Sequence, residues 1–125
     1  MAYENNLTET MVRLPAGARM EKRLEMSESK LESQIVTLCS KLGLLTYKFS
    51  SPSQRGVPDR VIMGRGRVLF LELKNAGCKP TRLQERELER IKKVGISAGW
   101  ADNYKDADLM IRHKFHHPLE DSCFR

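Results

Sequence analysis

The sequence offers little sulfur chemistry. Its three cysteines, Cys39, Cys78 and Cys123, are odd in number and far apart, and no Cys-x-x-Cys pair occurs. That excludes a zinc ribbon and a dithiol redox motif, and reduced thiols are expected. No apolar run approaches the roughly 18–20 residues a membrane span needs. The opening Met1 to Asn6 has neither a basic stretch nor an apolar core, so no secretory leader and a cytoplasmic location are expected. Aromatic residues are 6% of the chain, which leaves Trp100 and Tyr104 as candidates for stacking on bases, with core packing favoured for Trp100. Repeats and low-complexity tracts are lacking too.

What is present is one domain's worth of chain: 125 residues, 40% hydrophobic and 30% charged, enough apolar content for a single core. The net charge of +6 suits a polyanionic partner without proving one. Residues 1–26 have no clean period, are broken at Leu14-Pro15-Ala16-Gly17, and read as an N-terminal arm. A folded domain is expected over 27–113 and a loose tail over 114–125.

The domain reads as α-β-β-β-α-β-α. A helix is predicted over Lys30–Leu42, with Ser29 as N-cap and Gly43 as stop. Leu44–Ser50 reads as a strand, with Leu45, Tyr47 and Phe49 alternating. Ser51 to Gly56 is a polar loop, Asp59–Met63 a second strand, Gly64-Arg65-Gly66 a tight turn, and Arg67–Asn75 a third strand. A helix over Arg82–Val94 follows, capped by Thr81 and stopped by Gly95. Ile96–Asn103 is a fourth strand and Lys105–Arg112 a short helix. The expected fold class is α/β, a central mixed four-stranded sheet with helices packed on it. The Gly-x-Gly at the hairpin lacks a third glycine and a following helix, so it is no dinucleotide site.

The third strand carries the chemistry. Leu69, Leu71 and Leu73 face one way and Val68 and Phe70 the other, so the strand should be central and buried on both faces. Glu72 and Lys74 continue the Val68–Phe70 face, placing an acid and a base side by side at the end of a buried strand. Charge buried there needs a partner. The hairpin brings Asp59, at the start of the second strand, back towards Glu72. Two close carboxylates repel unless a proton or cation joins them, and hard oxygen ligands suit Mg²⁺ or Mn²⁺. The bland alternatives are an ion pair at a strand end and a turn aspartate after Pro58. Glu32 and Gln84 each fall at about 100° on a helical wheel, inside the apolar arc of their helix. Each also matches a capping box, as Ser29-x-x-Glu32 and Thr81-x-x-Gln84, and the two roles are compatible.

These residues together resemble the virus-type replication–repair nuclease (VRR-NUC) domain of the PD-(D/E)xK nuclease superfamily. The likeness rests on Glu32, Arg55-Gly56-Val57-Pro58-Asp59, the Gly64-Arg65-Gly66 hairpin, Val68-Leu69-Phe70-Leu71-Glu72-Leu73-Lys74, Leu83-Gln84 and Gly95, and spans about Glu28 to Ile111. It implies a restriction-endonuclease-like core. It also implies a divalent ion, Mg²⁺ or Mn²⁺, held by Asp59, Glu72 and the Leu73 backbone carbonyl. Glu32 would act through a metal-bound water or a second metal. Lys74 would position the attacking water or stabilise the phosphorane, and Gln84 would orient Lys74 or a ligand. The implied activity is hydrolysis of a DNA phosphodiester, on branched DNA such as a Holliday junction or flap, by a homodimer, and a phage or mobile-element source would fit. Lys48, Arg55, Arg60, Lys79, Arg82 and Arg86 are candidate phosphate contacts. His113, His116 and His117 could form a metal cluster, but their polar setting near Pro118 favours a solvated tail. The competing reading is a non-catalytic nucleic-acid-binding module on the same fold, with salt-dependent affinity and no product. A restriction-type enzyme reading a fixed sequence is less favoured, since the chain has little room for a base-reading element.

Overall fold

The computed structural model describes residues 27–116. The N-terminal arm, most of the tail, His117 and Cys123 lie outside the described residues. Helix α1 (Glu28–Leu42) is followed by strands β1 (Leu45–Lys48), β2 (Arg60–Gly64) and β3 (Arg67–Leu73), helix α2 (Arg82–Lys93), strand β4 (Ser97–Ala101) and helix α3 (Tyr104–Phe115). The strands form one sheet in the order β1-β2-β3-β4. β1 and β3 run antiparallel to β2, while β4 runs parallel to β3. α2 is the crossover that the parallel pair needs.

The β2–β3 hairpin turns on Arg65 and Gly66, both with positive φ (50° and 74°), the geometry that matches strand twist in a two-residue turn. β3 sits centrally as its pattern predicts. Leu69, Leu71 and Leu73 join Ile62 and Ala101 in a core closed by Leu31, Ile35, Leu38 and Cys39 of α1 and by Ala107, Ile111 and Phe115 of α3. α2 serves the opposite face: its Gln84 reaches Glu72, and its Leu88 is buried apart from that core.

Four expectations shift. First, α1 starts at Glu28 with Ser27 as N-cap, so the Ser29–Glu32 capping box does not form. The Ser27 side chain accepts from the Lys30 N–H, and the Asn75 side chain accepts from the Glu28 N–H at 2.6 Å; the earlier start also puts Glu28 in the first turn, where the helix dipole favours an acid. Second, the last helix, expected over Lys105–Arg112, runs over Tyr104–Phe115. Phe115 is buried in the core, Arg65 Nη1 donates to its carbonyl at 2.8 Å, and Arg67 Nη1 donates to the carbonyls of Lys114 and His116. Those arginines satisfy carbonyls that a helix end leaves open. Third, the Leu45 and Tyr47 side of β1 is 57% and 55% exposed, because β1 is an edge strand and the buried residue there is Leu44. Fourth, Val36 and Val94 are exposed although the wheel places them on apolar faces, Val94 because the helix has already ended at Lys93.

Candidate active site at the end of the central strand

Strand β3 carries Glu72 and leads directly into Lys74 at one end of the sheet. Glu72 is 2% exposed, and Lys74 Nζ lies 3.8 Å from its Oε2. The β2–β3 register pairs Arg60 with Leu71, so Asp59 arrives opposite Glu72. Asp59 Oδ2 accepts the Leu73 N–H at 3.1 Å, and its own carbonyl accepts the Phe49 N–H at 2.7 Å. These two bonds tie the aspartate to strands on either side.

Gln84 completes the group. Its Nε2 donates to Glu72 Oε2 at 2.9 Å, while its Oε1 accepts from Lys74 Nζ at 3.2 Å and from the Thr81 N–H at 2.9 Å. The Thr81–Gln84 capping box predicted from sequence is present. Capping and bridging are therefore done by one side chain: the bond that starts α2 also fixes the amide between Glu72 and Lys74.

Glu72 is left short of partners. Its Oε1 is buried with no hydrogen-bond donor, and burial, with the Asp59 carboxylate adding to it, pushes its pKa up to about 7. A buried carboxylate oxygen without a donor is costly. A divalent cation between Asp59 and Glu72 would relieve both that orphan atom and the repulsion, so the donor set fits a hard ion. Among the described residues no three His, Cys, Asp or Glu side chains form a ready-made cage. Two carboxylates and a backbone carbonyl need no such cage, and the fit rests on the orphan oxygen.

A third carboxylate stands nearby, and the sequence reading missed it. Glu28 is held above the usual carboxylate range by burial and then by the nearby Asp59 carboxylate. The earlier start of α1 puts it there. Glu32, the acid expected at this place, is occupied elsewhere: Arg60 Nη1 donates to its Oε2, and Lys48 Nζ lies 3.2 Å away. Burial pushes the Glu32 pKa up, but hydrogen bonds from Arg60 and Lys48 outweigh it and hold the group below its ordinary value. The structure thus gathers Asp59, Glu72, Lys74 and Gln84, adds Glu28, and pairs Glu32 with Arg60 and Lys48.

Arg60 is 7% exposed and donates through Nε to Thr46 Oγ1 at 3.1 Å. As a candidate phosphate contact it is corrected: its guanidinium is spent inside the fold. Lys48 is exposed but paired with Glu32. Arg55, Lys79, Arg82 and Arg86 are exposed. His113 and His116 are exposed at the end of α3, and Trp100 is half-buried on β4 opposite Glu72. Cys39 is a buried thiol, pushed up to about 11 by burial, and Cys78 is exposed and free.

Glu87 was also missed. It is buried on α2, where it accepts from Gln54 Nε2 and from Arg90 Nη1, each at 2.8 Å. Counted from Leu83 it falls at about 40° on the wheel, well inside the apolar arc, and that was the available signal.

No family model matches the chain. Over 69 residues it is 42% identical to the protein named "Putative nuclease p44" from Acyrthosiphon pisum secondary endosymbiont phage 1, covering 54% of this chain and 74% of that one. A solved structure described as "VRR_NUC domain" matches with a TM-score of 0.65 at 30% identity, over 70% of this chain and 97% of its own. A second, "VRR_NUC domain protein", matches with a TM-score of 0.63 at 18% identity, over 72% and 88%, and bears on the fold alone.

Proposed function

The chain belongs to the VRR-NUC family of nucleases, and on that premise we propose that it hydrolyses DNA phosphodiester bonds with the help of Mg²⁺ or Mn²⁺. The observation that carries this reading is the orphaned, buried Oε1 of Glu72 beside Asp59, with Lys74 and Gln84 in attendance. Asp59, Glu72 and the Leu73 carbonyl would hold the ion. Bound there, it supplies Lewis acidity at a phosphate oxygen.

The remaining work falls to the chain's own groups. Lys74, within reach of Glu72 and fixed by Gln84, orients the attacking water and offsets charge as the phosphorane forms. Gln84 keeps lysine and glutamate in register with each other. Glu28, close enough to Asp59 for the two carboxylates to repel, is the α1 carboxylate best placed to act on that side. Glu32 serves the Arg60–Lys48 cluster. Branched DNA is the proposed substrate class, and a homodimer suits a two-fold junction.

The test is cleavage of a labelled four-way junction, a flap and a plain duplex, with Mg²⁺, Mn²⁺ or EDTA, by wild type and Glu72→Ala. Metal-dependent cutting that favours branched DNA and is lost in Glu72→Ala is expected. No cutting with either metal, with junction binding intact in both proteins, would leave a binding module and end the hydrolytic reading.

A further inference from the structure

Residues 49–59 connect β1 to β2 and lead into Asp59. The base of this connection is closed by the Phe49–Asp59 backbone bond, by the edge contact of the Phe49 and Phe70 rings at 5.1 Å, and by buried Pro58. Asp59 is therefore placed without help from the outer part of the loop. Yet that outer part is fixed as well, at two points on one face of α2.

The first point is Gln54 on Glu87. Glu87 is 6% exposed, and its charge is met by one donor from its own helix and one from the loop, 33 residues away in the chain. The second point is Gly56 on Leu83, one turn earlier along α2. Gly56 has φ +82°, and a Cβ there would lie 2.9 Å from Leu83 Cγ and 3.0 Å from its carbonyl oxygen. Only glycine meets both conditions. Between these points sits Arg55, exposed and without an ion pair among the described residues. Leu83 also lines a cleft of 540 Å³ together with exposed Arg82 and Arg86 and with Glu85 and Glu89.

We propose that Gln54 and Glu87 are positioning residues that hold Arg55 ready for a DNA phosphate next to the active site. An arginine whose neighbours are already fixed loses less freedom on binding than one on an open loop, so the clamp strengthens binding without entering the chemistry. The Gly56 seat on Leu83 supports the same end of the loop. The proposal rests on the nuclease reading for its substrate and separates from it in the test.

The experiment measures junction affinity with Ca²⁺ replacing Mg²⁺, amide hydrogen exchange over residues 51–57, and kcat on saturating junction. Gln54→Ala is the main variant, because Gln54 is exposed and its loss threatens folding least. It should raise Kd about tenfold, which is 1.4 kcal/mol, speed exchange at 51–57 and leave kcat within about twofold. Arg55→Ala should cost the same in Kd, and the double variant no more than either alone. Glu87→Gln keeps an acceptor for Gln54 and should retain affinity within about twofold, where Glu87→Ala does not. Additive losses for Gln54→Ala and Arg55→Ala, or unchanged exchange at 51–57, would overturn the clamp. If wild type cuts nothing while this binding pattern holds, the clamp stands and the hydrolytic reading falls. If it cuts and the pattern is absent, the reverse is true.

Discussion

Replacing Glu72 by glutamine should make the metal-free protein more stable at pH 8 while abolishing its metal response. The Glu72 carboxyl is held in the folded state at a pKa of about 7, raised from 4.5 by burial and by Asp59. The unfolded chain releases that proton near 4.5, so between those values the folded state binds more protons and stability falls as pH rises. The contribution is whole below about pH 4.5 and fully lost above about pH 7. A gap of about 2.5 units at 1.36 kcal/mol each gives a loss of about 3 kcal/mol. Glu28, also raised, adds in the same direction, whereas Glu32 and Asp102 are lowered and act at more acid pH. Urea unfolding in EDTA at pH 5 and pH 8 checks this. With a slope of about 1–1.5 kcal/mol per molar, the wild-type midpoint should drop by about 2 M on going to pH 8. Glu72→Gln should lose much less, and Mg²⁺ should restore wild type but not the variant. A wild-type midpoint that is flat between pH 5 and 8, or a Glu72→Gln variant weaker than wild type at pH 8 without metal, would refute the reasoning.

Three further outcomes follow from the same geometry. Gly56→Ala, forced into positive φ against Leu83, should cost about 1–3 kcal/mol, read as a lower Tm. Glu32→Ala strands the nearly buried Arg60 with only Thr46, so it should cost about 2–3 kcal/mol in urea unfolding; loss of cleavage at unchanged stability would instead put Glu32 at the metal. Thr81→Val removes the acceptor for the Gln84 N–H and should cost about 1 kcal/mol, with cleavage falling less than in Gln84→Ala because the Gln84 side chain still spans Lys74 and Glu72.

Much of the fold could be read directly. β3 alternates leucines on one face against Val68 and Phe70 on the other, and only a central strand tolerates that pattern. The hairpin glycines and the Thr81–Gln84 box are local signals with local causes, and both are present. The convergence of Asp59, Glu72, Lys74 and Gln84 followed from the hairpin and the box together.

What stayed hidden depended on contacts between distant segments. Ser27 and Ser29 are equally good caps by type, and the choice between them is made by Asn75, 47 residues beyond Glu28. That choice decides which acid meets Asp59. Glu32 and Arg60 find each other across 28 residues, and periodicity cannot pair them. The extent of α3 is fixed by arginines on the hairpin, which satisfy carbonyls that sequence alone leaves open.

The two-residue turn at Arg65-Gly66 has an effect at a distance. Side chains alternate strictly between the faces of a sheet, so sliding β2 by a single residue against β3 would carry Asp59 to the wrong side. The turn lies five ladder pairs from the carboxylates, roughly 17 Å at strand spacing. An inserted or deleted residue there would leave every acid and base of the site in the sequence and yet break their meeting. The length of this far loop is thus as strict a requirement for chemistry as the identity of Glu72, and length variants of the hairpin belong beside point mutants in any search for inactive forms.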